Sequence, residues 1–341
     1  MDYSGASAYV YAKASGMLRK AFIGQNAVRL FTVKSLSELW EVVFGTAVPA
    51  VPEVMLANQI EYEAVRRFLS QYTHLLEAYS RPETFLIELL RRYDIENLKV
   101  LGAALSLGER EMPHIVDIGA YSVLNYGAWP DIKKITKNSP FSWYDHLSER
   151  QERQRLSYRL DVQEFRTLWK MLHAISDGTR QPLTDFYRRD YALKNMLWGL
   201  RLRVYYNMSR EQVVDNLIYV GDAPGKSDPL CDLAMDILDR AVDSYDDWKE
   251  WRFVELLNPH EDGVVWKLDP MWVEQKIRLN ETRLAKRMFH QYPMTAVSPA
   301  MFFQLKVQEL RCIRAAVESL RLNADAEEAM YVAGISAGTQ Q

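Results

Sequence analysis

Residues 91–105 read RRYDIENLKVLGAAL, and residues 189–203 read RDYALKNMLWGLRLR. Placing Asn97 on Asn195 also places Arg91 on Arg189 and Tyr93 on Tyr191. A weaker third copy, VQELRCIRAAVESLR at 307–321, brings Arg311 near the asparagine position. Around that copy the apolar residues Phe302, Leu305, Leu310, Ile313, Val317 and Leu320 fall at helical steps, with Arg311, Arg314 and Glu318 between them. They form one apolar stripe on a long helix. An amphipathic helix that recurs at about a third of the chain length is the mark of a repeated unit. We therefore expect three related helical units, over residues 1–111, 112–219 and 220–341.

The rest of the chain agrees with an all-α fold. Gly 15 and Pro 13 in 341 residues leave few tight turns, which argues against a sandwich or barrel. Val54 to Tyr79 has neither residue and reads as one helix, and Leu160 to Ile175 repeats the pattern. Helix starts are signalled at Ser35 with Glu38, at Ser80–Pro82–Glu83, at Ser209 with Gln212, at Asp228–Pro229 before LCDLAMDILDRAV, and at Asp325 with Glu328. The segments 221–229 and 260–263 read as loops.

Composition excludes several function classes. Lys plus Arg is 42 and Asp plus Glu is 45, a net charge of −3, so a general nucleic-acid footprint is not expected. The opening MDYSGASAYVYAK has no basic region followed by an apolar run, so no secretory signal is expected. The uncharged stretch from Met288 to Leu305 contains Pro293, Pro299 and several polar groups, which rules out a plain spanning helix. The expected state is soluble or peripheral to a membrane. Cys231 and Cys312 share no metal spacing, and the six histidines form no zinc pattern.

Gly221 to Ser227 imitates a phosphate-binding loop but fails its geometry. Gly221 stands four positions before Gly225 rather than five, Pro224 removes a donor, and Asp222 and Asp228 would repel phosphate. No catalytic, cofactor-binding or metal-ligating residue is expected. Basic residues cluster instead at Arg91–Arg92, Arg188–Arg189, Arg201–Arg203, Arg311–Arg314 and Lys133–Lys134 with Lys137. Arg91, Arg92, Arg188 and Arg189 are the candidate interface residues; the alternative is that they are the solvated face of a helix.

Three motifs in order complete the reading. Tyr9-Val10-Tyr11-Ala12-Lys13 is similar to the Tyr-x-x-Ala-Arg opening of the central-stalk connector family of rotary A/V-type ATPases, with Lys13 in place of the arginine. That family has members in archaeal and bacterial enzymes and in eukaryotic V-type ones. Asp94-Ile95-Glu96-Asn97-Leu98-Lys99 resembles its Asp-x-x-Asn-Leu-Lys, and Glu309 to Arg314 resembles its Glu-x-x-x-x-Arg ending. The middle copy departs: Asp190 lies five residues before Asn195 rather than three, although Arg201 follows as in the family.

The resemblance implies three helical bundles around a pseudo-threefold axis, forming a funnel. It implies a non-catalytic rotor component whose open side takes the foot of the central shaft. Its base would sit on the cytoplasmic face of the membrane proteolipid ring, passing torque between ATP hydrolysis or synthesis and transport of H⁺ or Na⁺. It implies no cofactor, no nucleic-acid partner and no membrane insertion. The all-α repeats alone equally permit a helical scaffold or adaptor unrelated to ATPases, or a helical enzyme whose site leaves no motif.

Overall fold

A computed structural model describes residues 3–146, 150–221, 228–261 and 263–335. Among these residues the regular structure is helical, with no strand. The α-helices are α1 (Tyr3–Leu18), α2 (Leu36–Phe44), α3 (Glu53–Leu76), α4 (Thr84–Ser106), α5 (Ile132–Thr136), α6 (Arg150–Ala174), α7 (Arg180–Tyr206), α8 (Arg210–Asp215), α9 (Asp232–Asp236), α10 (Pro270–Gln291), α11 (Val297–Leu322) and α12 (Ala326–Val332). Short 3₁₀ turns fill several of the connections.

Six long helices carry the architecture: α3 then α4, α6 then α7, α10 then α11. Each pair is joined by a short link. The long second member of each pair packs on the first member of another: α4 on α6, α7 on α10, and α11 on α3. The pairing therefore closes on itself.

The core follows the same order. The N-terminal halves of α4, α7 and α11 meet in one cluster through Phe85 and Leu89, Leu183 and Tyr187, and Phe302 and Phe303. Their C-terminal halves diverge into three further clusters. Leu98 and Leu101 of α4 pack with Ile135, Phe141 and Leu160. Met196 and Leu200 of α7 pack with Val213, Trp248 and Val273. Ile313 and Val317 of α11 pack with Ala329 and with Leu39 and Ile60 from the beginning of the chain. Burying a side chain of this kind contributes about 1.5–3 kcal/mol.

Three of the five helix starts signalled in the sequence are capped as expected. Ser35 accepts from the Glu38 backbone N–H, Ser209 and Gln212 form a reciprocal capping box, and Asp325 accepts from Glu327 and Glu328. Asn207 and Asn323 close α7 and α11 in the left-handed conformation, which a short polar side chain tolerates. Pro299 sits in the first turn of α11, where no intrahelical N–H bond is lost. The Met288 to Leu305 stretch is divided between the end of α10, a turn and the start of α11.

Two expectations need correction. Helix α4 begins at Thr84 with Glu83 at its N-cap, and no side chain caps it; Ser80 is not the cap. LCDLAMDILDRAV is helical only over Asp232–Asp236. Asp228 is spent on the loop, accepting from the Val220 and Leu230 N–H groups. Arg203 of α7 donates to the Ile237 and Arg240 carbonyls, and Trp248 donates to that of Ala241. Those captured carbonyls end the helix early.

Candidate functional site

The conspicuous residues of the repeat turn inward to the backbone. Asn97 donates to the Val116 carbonyl at 2.7 Å and accepts from the Val116 N–H at 2.8 Å. Asn195 does the same to Ile218, at 2.7 and 3.0 Å. A side-chain amide has the donor–acceptor pattern of a peptide, so one asparagine satisfies both groups of a chain that returns alongside its helix. On α11 the nearest counterpart is Gln308, which only donates, to the Ala333 carbonyl at 2.8 Å, while the Ala333 N–H donates to the Ala329 carbonyl. Arg311, which the sequence places nearest the asparagine position, makes no such bond among the described residues.

The carboxylates near these amides differ. Asp94 accepts from Ser122 Oγ, the Val123 N–H and Tyr126 Oη, at 2.7, 2.9 and 2.7 Å. Burial raises its pKa and the three hydrogen bonds oppose the rise. Asp190 is buried too, but it pairs with Lys194 at 2.7 Å and faces Glu281 of α10. Burial, and then the Asp190 charge, push the Glu281 carboxyl well up, while Lys194 and Arg311 pull the other way.

Cations of the long helices pair across all three packed seams. Lys99 of α4 meets Asp161 of α6, Arg201 of α7 meets Glu274 of α10, and Arg314 of α11 meets Glu61 of α3 at 2.8 Å. Part of the basic clustering seen in the sequence is thus spent on holding helices together. Glu309, in the third motif, accepts from the Phe22 N–H at 2.8 Å and pairs with Lys306. It ties α11 to the segment after α1.

The four candidate interface arginines split into two kinds. Arg91 pairs with Glu88 at 3.2 Å, and Arg92 pairs with Glu96 at 3.8 Å while facing Glu164. Arg188 and Arg189 are exposed and have no ion-pair partner among the described residues. They border a groove of about 490 Å³ that also contains Phe186, Arg252 and Tyr292.

A wide cleft of about 820 Å³ lies between α4, α6 and α7. Lys99, Arg153, Asp161, Lys194 and Trp198 line it. Trp198 and Tyr206, both exposed, stand on its α7 side. Such a mixed aromatic and charged wall suits a protein segment. Spacing could not announce it, because its residues come from distant parts of the chain.

Among the described residues no cluster of His, Cys, Asp and Glu could hold a metal ion. Burial pushes both cysteine thiols up to about 12, so neither is a ready nucleophile. Residues 222–227, which carry most of the phosphate-loop imitation, lie outside the described residues. No helix among the described residues is long and apolar enough to cross a membrane.

Comparison with known proteins agrees with the motifs. A protein of Treponema pallidum (strain Nichols), designated only "Uncharacterized protein", is 28% identical over 315 residues, covering 92% of this chain and 92% of that one. The profile of the family described as ATP synthase (C/AC39) subunit matches residues 8–330. With a match over nearly its whole length, this chain belongs to the ATP synthase (C/AC39) family.

Proposed function

We propose that the chain is a non-catalytic rotor component of a rotary A/V-type ATPase, linking the central shaft to the membrane proteolipid ring. Torque would pass through it between ATP hydrolysis or synthesis and transport of H⁺ or Na⁺. The observation that carries this reading is the family match over residues 8–330. The self-closing pairing of three helix hairpins supports it. Such a part must be stiff, and long helices locked by paired seams supply stiffness.

In this reading the three sequence units, 1–111, 112–219 and 220–341, surround a pseudo-threefold axis and form a funnel. The beginning of the chain closes the third unit by packing on α11, as the cluster around Ile313 and Ile60 suggests. The cleft with Trp198 and Lys99 receives a segment of the shaft, and Arg188 and Arg189 supply a second charged contact. The chain works at the cytoplasmic face of the membrane without inserting.

The test is affinity capture of the tagged chain from solubilised membranes. Shaft and proteolipid proteins should co-purify, and Trp198→Ala with Lys99→Glu should lose the shaft proteins first. Recovery of the chain without either partner would contradict the reading.

A further inference from the structure

A separate concavity, of about 460 Å³, lies between α1, α3 and α11. Its lining includes Lys13, Lys20, Arg67, Gln71, Lys306 and Glu309. Four cations and one carboxylate thus face one pocket in a chain of net charge −3.

The single carboxylate is already engaged. Glu309 pairs with Lys306 and accepts from the Phe22 N–H. Lys13, Lys20 and Arg67 have no carboxylate partner among the described residues; Arg67 donates only to the Val43 carbonyl, at 2.7 Å. The neighbouring Arg66, by contrast, pairs with Glu63 at 2.6 Å. Helix α1, the turn that follows it and helix α3 therefore bring uncompensated positive charge to one place.

Two further observations sharpen this. Gln71 Oε1 is buried at the pocket wall with no hydrogen-bond partner. Buried amides are normally satisfied, so this one leaves hydrogen-bonding capacity unspent beside the cations. The Lys306 ammonium is held below its usual range by burial; Glu309 opposes this, and the charge of Arg67 adds to it. The lining carries four cations against one carboxylate, so its charge is positive.

We propose that this pocket binds a phosphate-bearing anion, held by Lys13, Lys20 and Arg67 with the Gln71 amide at its wall. A phosphate carries more than one negative charge and several acceptor oxygens, which suits three separated cations better than a single carboxylate does. The volume admits a diphosphate or a phosphomonoester headgroup. The site is independent of the shaft-docking cleft and does not rest on the rotor reading.

The experiment measures binding of inorganic pyrophosphate to the intact chain by calorimetry, and co-sedimentation with vesicles of phosphatidylcholine containing or lacking phosphatidic acid, whose headgroup is a phosphomonoester. The variants are K13Q/K20Q/R67Q, the milder Lys20→Gln, and Arg66→Gln, a control outside the pocket that also removes one positive charge. Pyrophosphate should bind, about tenfold or more weakly in the triple variant, partly weakened in Lys20→Gln and unchanged in Arg66→Gln. Sedimentation only with vesicles that contain phosphatidic acid, lost in the triple variant, assigns a lipid headgroup as the source. Pyrophosphate binding without sedimentation assigns a soluble phosphate. Absence of both kinds of binding at millimolar phosphate overturns the proposal, as does binding that the triple variant, melting like the wild type, leaves intact.

Discussion

Helices α4 and α7 solve one problem in two ways. Each holds the returning chain with an asparagine, Asn97 on Val116 and Asn195 on Ile218. They differ in what supports that clamp. Around α4 the support comes from the helix itself, as Asp94 gathers Ser122, Val123 and Tyr126. Around α7 it comes from the loop, where Asp228 binds Val220 and Leu230. Asp190 is thereby released to the seam with α10, beside Lys194 and Glu281. The amide is the shared element, and the carboxylate is free to change its task.

The largest effect should come from the shared element. Asn97→Ala and Asn195→Ala each leave a part-buried backbone N–H and carbonyl unpaired, at roughly 1–3 kcal/mol per group. Urea denaturation should show losses of similar size for the two. A large loss at one and none at the other would break the equivalence.

The carboxylates should then separate. Asp94→Ala orphans the Val123 N–H, while the Ser122 and Tyr126 hydroxyls can rotate to other acceptors, and it should cost about 2 kcal/mol. Asp190→Asn removes a negative charge that faces Glu281, so its stability should stay within about 1 kcal/mol of wild type at neutral pH. Equal losses at both positions would mean that Asp190 anchors a loop after all.

This contrast also explains how much of the molecule the sequence made legible. The all-α class and the family were readable, because helical periodicity and the asparagine motifs are local. The clamp on α11 was not. It uses Gln308 rather than Arg311, and an amide partner 25 residues away leaves no spacing rule. The basic clusters were visible as clusters but their purpose was not. Arg201 and Arg314 reach carboxylates on other hairpins, whereas Arg188 and Arg189 do not. The short α9 was overread, since the groups that cut it off, Arg203 and Trp248, act from outside the segment. The main cleft joins residues of α4, α6 and α7, and only the fold assembles it.

A pH dependence should mark the α7 side. Glu281 has a raised pKa when folded, so over the range upward from the ordinary value of 4.5 the folded state binds more protons than the unfolded state. Its contribution is therefore complete below that ordinary value and is lost as pH rises through the folded one. The slope is at most one proton, about tenfold in the unfolding constant per pH unit. Melting curves of Glu281→Gln should lack this component. An unchanged slope in that variant would mean that Glu281 is not the titrating group.

The smallest effects belong to the seams. The Lys99–Asp161 pair is about one-third exposed on its lysine and more on its aspartate, so a double-mutant cycle should give about 0.5 kcal/mol and shrink in salt. Arg201–Glu274 has the better buried carboxylate and should couple more strongly, toward about 1 kcal/mol. Reversal of that order would show that exposure does not set the strength of these seams.

The rotor role itself is decided by ion pumping of the membrane complex reconstituted with and without this chain, measured together with ATP hydrolysis by the soluble sector. Hydrolysis should survive and pumping disappear when the chain is left out, and pumping should return on adding it back. Pumping at the normal rate in its absence would contradict the rotor reading.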